Sequence, residues 1–307
     1  MSQEREYNGR GGGIAMKRAL IVFVLLMTTQ ALCGQAPQAP VPSKVQKLAD
    51  DLYVILSEGS NTTVYLTDEG VILVDTKFDR NHDDIIAKVK ELTNKPIKYI
   101  INTHAHVDHT GGNAKMLPGP EIIGSARLRD AMMKGKLAGA PTVTFADEMS
   151  IFLGGKEVVV RHFGPCHTDG DTWIYFPARK ALASGDCFNT GNGQGVNLTG
   201  SPTFAFYIDY NTGGSLNGRA KVADAALKLD WNTVIPGHGP VTDRAGFMKW
   251  RTDTDAIRNR VTSMVREGKT KDDVTKMLVN EFGWDPMGRA TTNSIDGMMA
   301  EMRKQAQ

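Results

Sequence analysis

The chain has 307 residues, of which 41% are hydrophobic, 23% charged and 7% aromatic; 36 Lys and Arg against 34 Asp and Glu leave a formal net charge of +2. The near-neutral balance excludes a polyanion-binding surface as the starting expectation, and the apolar fraction excludes wholesale disorder. Three Cys exclude a disulfide scaffold, whereas five of the seven His fall in three short segments.

Residues 1–15 are polar and Gly-rich, and Met16-Lys17-Arg18 then opens an apolar run over 19–27 that gives way to the small residues Ala31, Gly34 and Ala36. A basic start, a short apolar stretch and small residues form the layout of a secretory signal peptide, with Met16 read as the true start. The run is shorter than the roughly 20 residues of a membrane-spanning helix, so no permanent membrane anchor is expected. Leu32 before Cys33 argues against lipidation, since that position calls for a small residue. The expected organisation is leader and signal peptide over 1–34, a Pro-rich linker over 35–48 and one domain over 49–307. The protein is therefore expected to be secreted or periplasmic, with Cys166 and Cys187 left in the mature chain as candidates for a disulfide.

Short apolar, β-branched runs follow at 52–56, 63–66 and 71–74; a Gly-containing turn, Thr67-Asp68-Glu69-Gly70, separates the last two and predicts a hairpin. Ile85, Ile86, Val89 and Leu92 recur at helical spacing, and 97–101 is again a strand. A strand at 121–123 leads into a helix around 126–134, and strands are expected at 142–145, 149–153, 157–163, 172–176 and 180–184. Residues 188–214 are rich in Gly and Asn and read as a long loop, whose aromatics Phe204, Phe206, Tyr207 and Tyr210 either wall a pocket or pack the loop on the body. A helix over 216–229, a strand at 233–235 and a helical tail complete the pattern, with Ile257, Val261, Met264 and Val265 on one helix face and Val274, Leu278 and Phe282 on the next. Mixed strands and helices without a long break predict one α/β domain with helices covering sheet faces.

The strongest chemical signal is Asn102-Thr103-His104-Ala105-His106-Val107-Asp108-His109-Thr110-Gly111-Gly112, directly after an apolar strand. On a continuing strand His104 and His106 share a face, while Asp108 and His109 require a bend. One ion accommodates only some of these groups, so the cluster predicts two adjacent metals. His167 follows the 157–163 strand, Asp186 in Ser184-Gly185-Asp186-Cys187 ends another, and His238 sits in Pro236-Gly237-His238-Gly239-Pro240 after a third. Asp75 ends the 71–74 strand and is a candidate either to fix a His tautomer or to cap a turn. His82 and His162 read as structural or surface residues.

Together these segments resemble the metallo-β-lactamase superfamily, in which His-x-His-x-Asp-His, a later His, a Gly-Asp and a late Gly-His-Gly occur in this order. The resemblance covers roughly residues 51–242 and implies a four-layer αββα sandwich, followed here by C-terminal helices, with a dinuclear, usually zinc, site at one edge of its sheets. It assigns His104, His106 and His167 to the first Zn2+, Asp108, His109 and His238 to the second, and Asp186 to the bridge between them. Asp108 and Asp186 are the expected catalytic carboxylates, around a hydroxide shared by the metals. Cys187 lies where one β-lactamase subclass uses Cys as a ligand, but with Asp186 present it reads as a neighbour.

The implied activity is an exported zinc hydrolase that cleaves an ester, lactone or amide-type bond in a small molecule. β-Lactam hydrolysis is the alternative, although Cys187-Phe188-Asn189-Thr190-Gly191 contains neither the Lys nor the Ser with which many β-lactamases hold the drug carboxylate. Glyoxalase II activity fits less well with export and with the absence of a basic cluster near the C-terminus. Alternatives of another class are a persulfide dioxygenase, with one iron on groups equivalent to His104, His167 and Asp186, and a binding protein without turnover. Near neutrality argues against a nucleic acid partner. The oligomeric state is left open.

Overall fold

The computed structural model describes residues 43–190 and 207–305, all within one compact unit, Pro40–Gln307. The expected signal peptide, most of the Pro-rich linker and the central part of the Gly/Asn-rich loop, including Phe204 and Phe206, lie outside the described residues.

The first sheet runs β1 (Lys44–Ala49), β2 (Leu52–Leu56), β3 (Thr62–Leu66), β4 (Val71–Val74), β5 (Ile97–Ile101), β6 (Glu121–Ser125) and β7 (Val143–Phe145) in spatial order. Pairing is antiparallel from β1 to β4 and parallel from β4 to β7. The hairpin expected at 63–74 is the β3/β4 pair, closed where Thr67 N donates to Gly70 O at 2.9 Å. Strand β1 places residues 44–48 inside the domain, which shortens the expected 35–48 linker. Its sequence, Lys-Val-Gln-Lys-Leu-Ala, has exposed Lys44 and Lys47 among half-buried residues and so lacks the apolar run by which the other strands were legible.

The second sheet is β8 (Glu148–Leu153), β9 (Lys156–Arg161), β10 (Trp173–Phe176), β11 (Ala181–Ala183), β12 (Thr233–Ile235) and β13 (Thr242–Asp243), in the spatial order β13-β12-β11-β10-β9-β8. Strand β4 shows why uninterrupted apolar runs serve here: successive side chains leave opposite faces, and both faces are covered. Ile72 and Val74 join Ile174, Phe176 and Val160 between the sheets, while Val71 and Leu73 meet Ile85 and Val89 of helix α1 (His82–Leu92).

Short helices α2 (Val107–Thr110) and α3 (Asn113–Met116) follow β5, and α4 (Ala126–Lys134) follows β6 with Ser125 Oγ accepting from Leu128 N as its cap. The outer face of the second sheet is covered by α5 (Leu216–Ala226), α6 (Arg244–Arg266), α7 (Lys271–Phe282) and α8 (Arg289–Gln305), whose apolar stripes bury Trp173, Leu182 and Val234. The layers are therefore helix, sheet, sheet, helix, as expected from the sequence. Helix α8 is part of the expected helical tail, and its Ile295, Met298, Met299 and Met302 are fully or almost fully buried at helical spacing. Among the described residues, no helix is long and apolar enough to cross a membrane.

Candidate metal centre

The predicted site residues follow the ends of β5, β9, β11 and β12, and all of them converge at one edge of the two sheets. After β5 the chain bends through 103–105 and is extended at His106, and α2 then turns it again: His109 N and Thr110 N both donate to His106 O at 3.0 Å. One helical turn thus moves Asp108 and His109 off the line of His104 and His106. The glycines flanking His238 have a steric reason. A Cβ on Gly237 would run into Asp186 Oδ1, and one on Gly239, at φ +88°, would run into Thr190 O.

Two trios result. His106 Nδ1 lies 3.1 Å from His104 Nε2 and 3.0 Å from His167 Nε2. In the second trio, His238 Nε2 lies 3.3 Å from both His109 Nε2 and Asp108 Oδ2. Asp186 joins them: its Oδ1 is 3.2 Å from His109 Nε2 and 3.3 Å from His238 Nε2, and its Oδ2 is 3.7 Å from His167 Nε2. Tetrahedral ligands at zinc's usual 2.0–2.1 Å stand about 3.3 Å apart, which is close to the spacing within both trios.

The outward-facing ring nitrogens determine what the inward ones offer. His106 Nε2 faces Asp209 Oδ2 at 2.9 Å, His167 Nδ1 faces the Tyr207 carbonyl at 2.9 Å, and His109 Nδ1 faces Asp75 Oδ2 at 2.7 Å. Carboxylates and carbonyls only accept, so each of these nitrogens carries the proton. Thr103 Oγ1 donates to Asp75 Oδ2 at 2.7 Å and is left to accept from His104 Nδ1 at 3.1 Å. Burial, reinforced by the neighbouring imidazoles, holds His104 well below its ordinary pKa, and burial brings His167 down to about 4. In the first trio, neutral His104 and His167 therefore turn their Nε2 lone pairs toward His106 Nδ1 at hydrogen-bond distance, three ring nitrogens gathered where a cation fits between them.

The second trio is charged differently. Burial alone would lower His109 and His238, but Asp186 and its fellow carboxylates overcome it, raising His109 well above the ordinary range and His238 to about 9. Against the same desolvation, the two imidazoles keep Asp108 and Asp186 well below theirs. Without a metal, protons on His109 and His238 take the place of positive charge among carboxylates. The residue types and spacing of both trios fit divalent metal.

Asp75, left open as tautomer-fixer or cap, holds the His109 ring and also accepts from Thr103 N at 2.9 Å. Its φ of +61° turns the carboxylate beneath the histidine loop, in the left-handed region that Asp tolerates better than most residues. Several positioning residues were not identified from the sequence. Asp209 aligns His106, and Asp171 Oδ2 receives His167 N at 2.7 Å. Asn189 Oδ1 accepts from His238 N at 2.9 Å, while Asn61 Nδ2 donates to Pro236 O and Gly239 O at 2.9 and 2.8 Å. Asp171 lies four residues after His167 and closes a local turn, whereas Asp209, Asn61 and Asn189 belong to no local motif and reach their partners only in the folded chain.

Of the remaining candidates among the described residues, only Tyr207 packs against the rings of a trio. His82 pairs with exposed Asp83, and His162 Nδ1 bonds to Asp171 O at 2.8 Å, as expected for structural positions. Cys166 and Cys187 are buried free thiols that cluster with Asp171, and the Cys187 thiol donates to Asp171 Oδ2 at 3.2 Å. Cys187 thus faces Asp171, in keeping with its reading as a neighbour of the site. Of the described loop aromatics, Tyr207 stacks on His106 with ring centroids 6.0 Å apart, and Tyr210 bonds to Glu301 on α8.

The family model for the metallo-beta-lactamase superfamily matches residues 57–238, the interval that contains both trios. The chain belongs to this superfamily. Relatives within it include 2,4-dinitroanisole O-demethylase subunit alpha of Nocardioides sp., 27% identical over 65% of this chain and 56% of that protein. The beta-lactamase-like protein 2 homolog of Caenorhabditis elegans is 30% identical over 65% of each chain, and metallo-beta-lactamase type 2 of Bacillus cereus is 25% identical over 60% of this chain and 69% of its own. The chain thus spans 56% and 65% of the first two relatives' lengths. The superfamily fold is also found in the metallo-beta-lactamase from Pontibacter korlensis, at a TM-score of 0.58 and 22% identity over 69% of this chain and 99% of that one. The metallo-beta-lactamase FIM-1 from Pseudomonas aeruginosa aligns at a TM-score of 0.60 and 20% identity over 72% and 98%.

Proposed function

We propose that the protein is an exported, zinc-dependent hydrolase that cleaves an ester, lactone or amide-type bond in a small molecule. The observation that carries this reading is the set of inward lone pairs of His104, His106 and His167, each fixed by an acceptor on its outer nitrogen. These three residues would hold one zinc, Asp108, His109 and His238 a second, and Asp186 would touch both. Two such ions, when bound, bring a shared water to a pKa near neutrality and polarise the bond under attack. The protein's part is alignment and charge. Asp186 spans the trios with one oxygen toward each, and Asp108, the most exposed of the carboxylates here at 18%, is an ionised acceptor able to orient an attacking water. Export is supported by the basic-apolar-small sequence at 16–36.

β-Lactam turnover is the weaker reading. Thr190 Oγ1 donates its proton to Pro240 O at 2.6 Å, and Asn189, whose Oδ1 accepts from His238 N, offers a drug carboxylate no positive charge. The demethylase relative is named for a neutral aryl methyl ether, which makes uncharged substrates a reasonable part of any panel. Metal analysis followed by lactones, aryl esters, aryl ethers, thioesters and nitrocefin tests the proposal. Chelator-sensitive turnover of neutral esters or lactones, with nitrocefin slow or inert, is expected. Nitrocefin as the preferred substrate would make the protein a β-lactamase, and one iron per chain with oxygen uptake would make it an oxygenase.

A further inference from the structure

Helix α8 lies outside the interval matched by the superfamily model, yet it reaches the first trio through a chain of contacts. Residues 207–209 form a strap beside His167: Tyr207 O accepts from His167 Nδ1 at 2.9 Å, and Asp209 N donates to His167 O at 2.9 Å. The same strap supplies Asp209 Oδ2 to His106 Nε2. Its central residue, Ile208, is fully buried and is gripped by a single side chain, Ser294 of α8, whose Oγ accepts from Ile208 N at 3.0 Å and donates to Ile208 O at 3.1 Å. Ser294 is itself fully buried. A second brace comes from buried Arg219 of α5, whose Nη2 donates to Tyr207 O at 3.0 Å.

We infer that Ser294 is a positioning residue for the first metal site, fixing through the 207–209 strap the orientation of His106 and His167 while leaving the second trio to other supports. The direct supports of the two sites differ, and they meet weakly through Arg219, whose Nη2 also reaches Asp186 O at 3.4 Å. His109 is held by Asp75 and the His238 loop by Asn61 and Asn189, none of which touches α8 through the contacts described here. A hydroxyl that satisfies both polar groups of Ile208 sets the height of the strap. Without it, a buried N–H and C=O lose their partner and the strap must shift to find others.

This inference rests on the zinc reading above, so its test has one readout that needs no metal. In Ser294→Ala, the imidazole nitrogen resonances of His106 and His167 in the metal-free protein should move, while those of His109 and His238 stay in place. Zinc titration of the same variant should show affinity at one of two sites reduced roughly tenfold, the lower end expected for outer-shell partners. Ser294→Thr, which retains the hydroxyl, should restore both readouts, and Lys271→Ala, which removes only the exposed Lys271–Asp296 pair between α7 and α8, should leave both as in the parent. Should Ser294→Ala fail to fold, Ser294→Cys, which keeps the size but weakens both hydrogen bonds to Ile208, must give the same site-selective shift. Equal perturbation of all four histidines, or none, would overturn the role of Ser294. Selective histidine shifts in a protein that binds no zinc would instead uphold the strap and reject the zinc reading.

Discussion

At the scale of single residues, the centre is governed by which nitrogen of each imidazole holds the proton. Asp75, Asp209, the Tyr207 carbonyl and Thr103 each occupy an outer nitrogen and so turn the inner nitrogens of His109, His106, His167 and His104 toward the metal positions. Asp75 serves both trios, His109 directly and His104 through Thr103, and Asp75→Asn should lower zinc affinity roughly ten- to a hundredfold, with His109 the more affected, as measured by competition with a chromophoric chelator. The proton inventory also differs between sites. His104 and His167 are neutral at pH 7, whereas His109 and His238 carry protons that zinc must displace. Calorimetry in buffers of different ionisation enthalpy should therefore find proton release concentrated in the zinc equivalent that fills the second trio. Equal release from both equivalents would contradict these assignments. The seven candidate ligands were legible because each sits in a short motif after an apolar strand. Asp209, Asn61 and Asn189 were not, because an isolated Asp or Asn carries no sign of what it will touch after folding.

At the scale of elements, strands were legible where both faces are buried, as in β4, and obscure where the pattern is mixed, as in β1. The tail shows a different limit. Helix α8 carries a methionine-rich stripe at helical spacing, but nothing in that stripe tells that its polar residues serve a distant loop. Glu301 is a case in point. It accepts from Tyr210 Oη at 2.7 Å, Leu216 N at 2.9 Å and Asn217 Nδ2 at 3.0 Å, placing a carboxylate on the first turn of α5 where unpaired amides and the helix dipole favour negative charge. Glu301→Ala should cost about 2 kcal/mol, read as a lower denaturation midpoint. A loss confined to a few tenths would mean that water replaces the carboxylate at little cost.

At the scale of the whole molecule, two sheets with helices on both outer faces leave one edge where four strand ends meet, and the candidate ligands collect there. The charge gathered at that edge ties stability to pH. Because the folded-state pKa of His238 is raised from an ordinary 6.5 to about 9, its contribution is complete below about pH 6.5 and is lost as pH rises through 9. The metal-free protein should thus lose stability across that window in thermal melts, and zinc, by replacing the protons, should reverse the trend. The central claim, that these seven residues hold two metals, is tested most directly by the metal content of the purified full chain and of its His104→Ala/His106→Ala variant. The parent should hold two zinc ions per chain, and the variant should lose the bound zinc and turnover; an unchanged metal stoichiometry in the variant would show that these residues do not hold the metals.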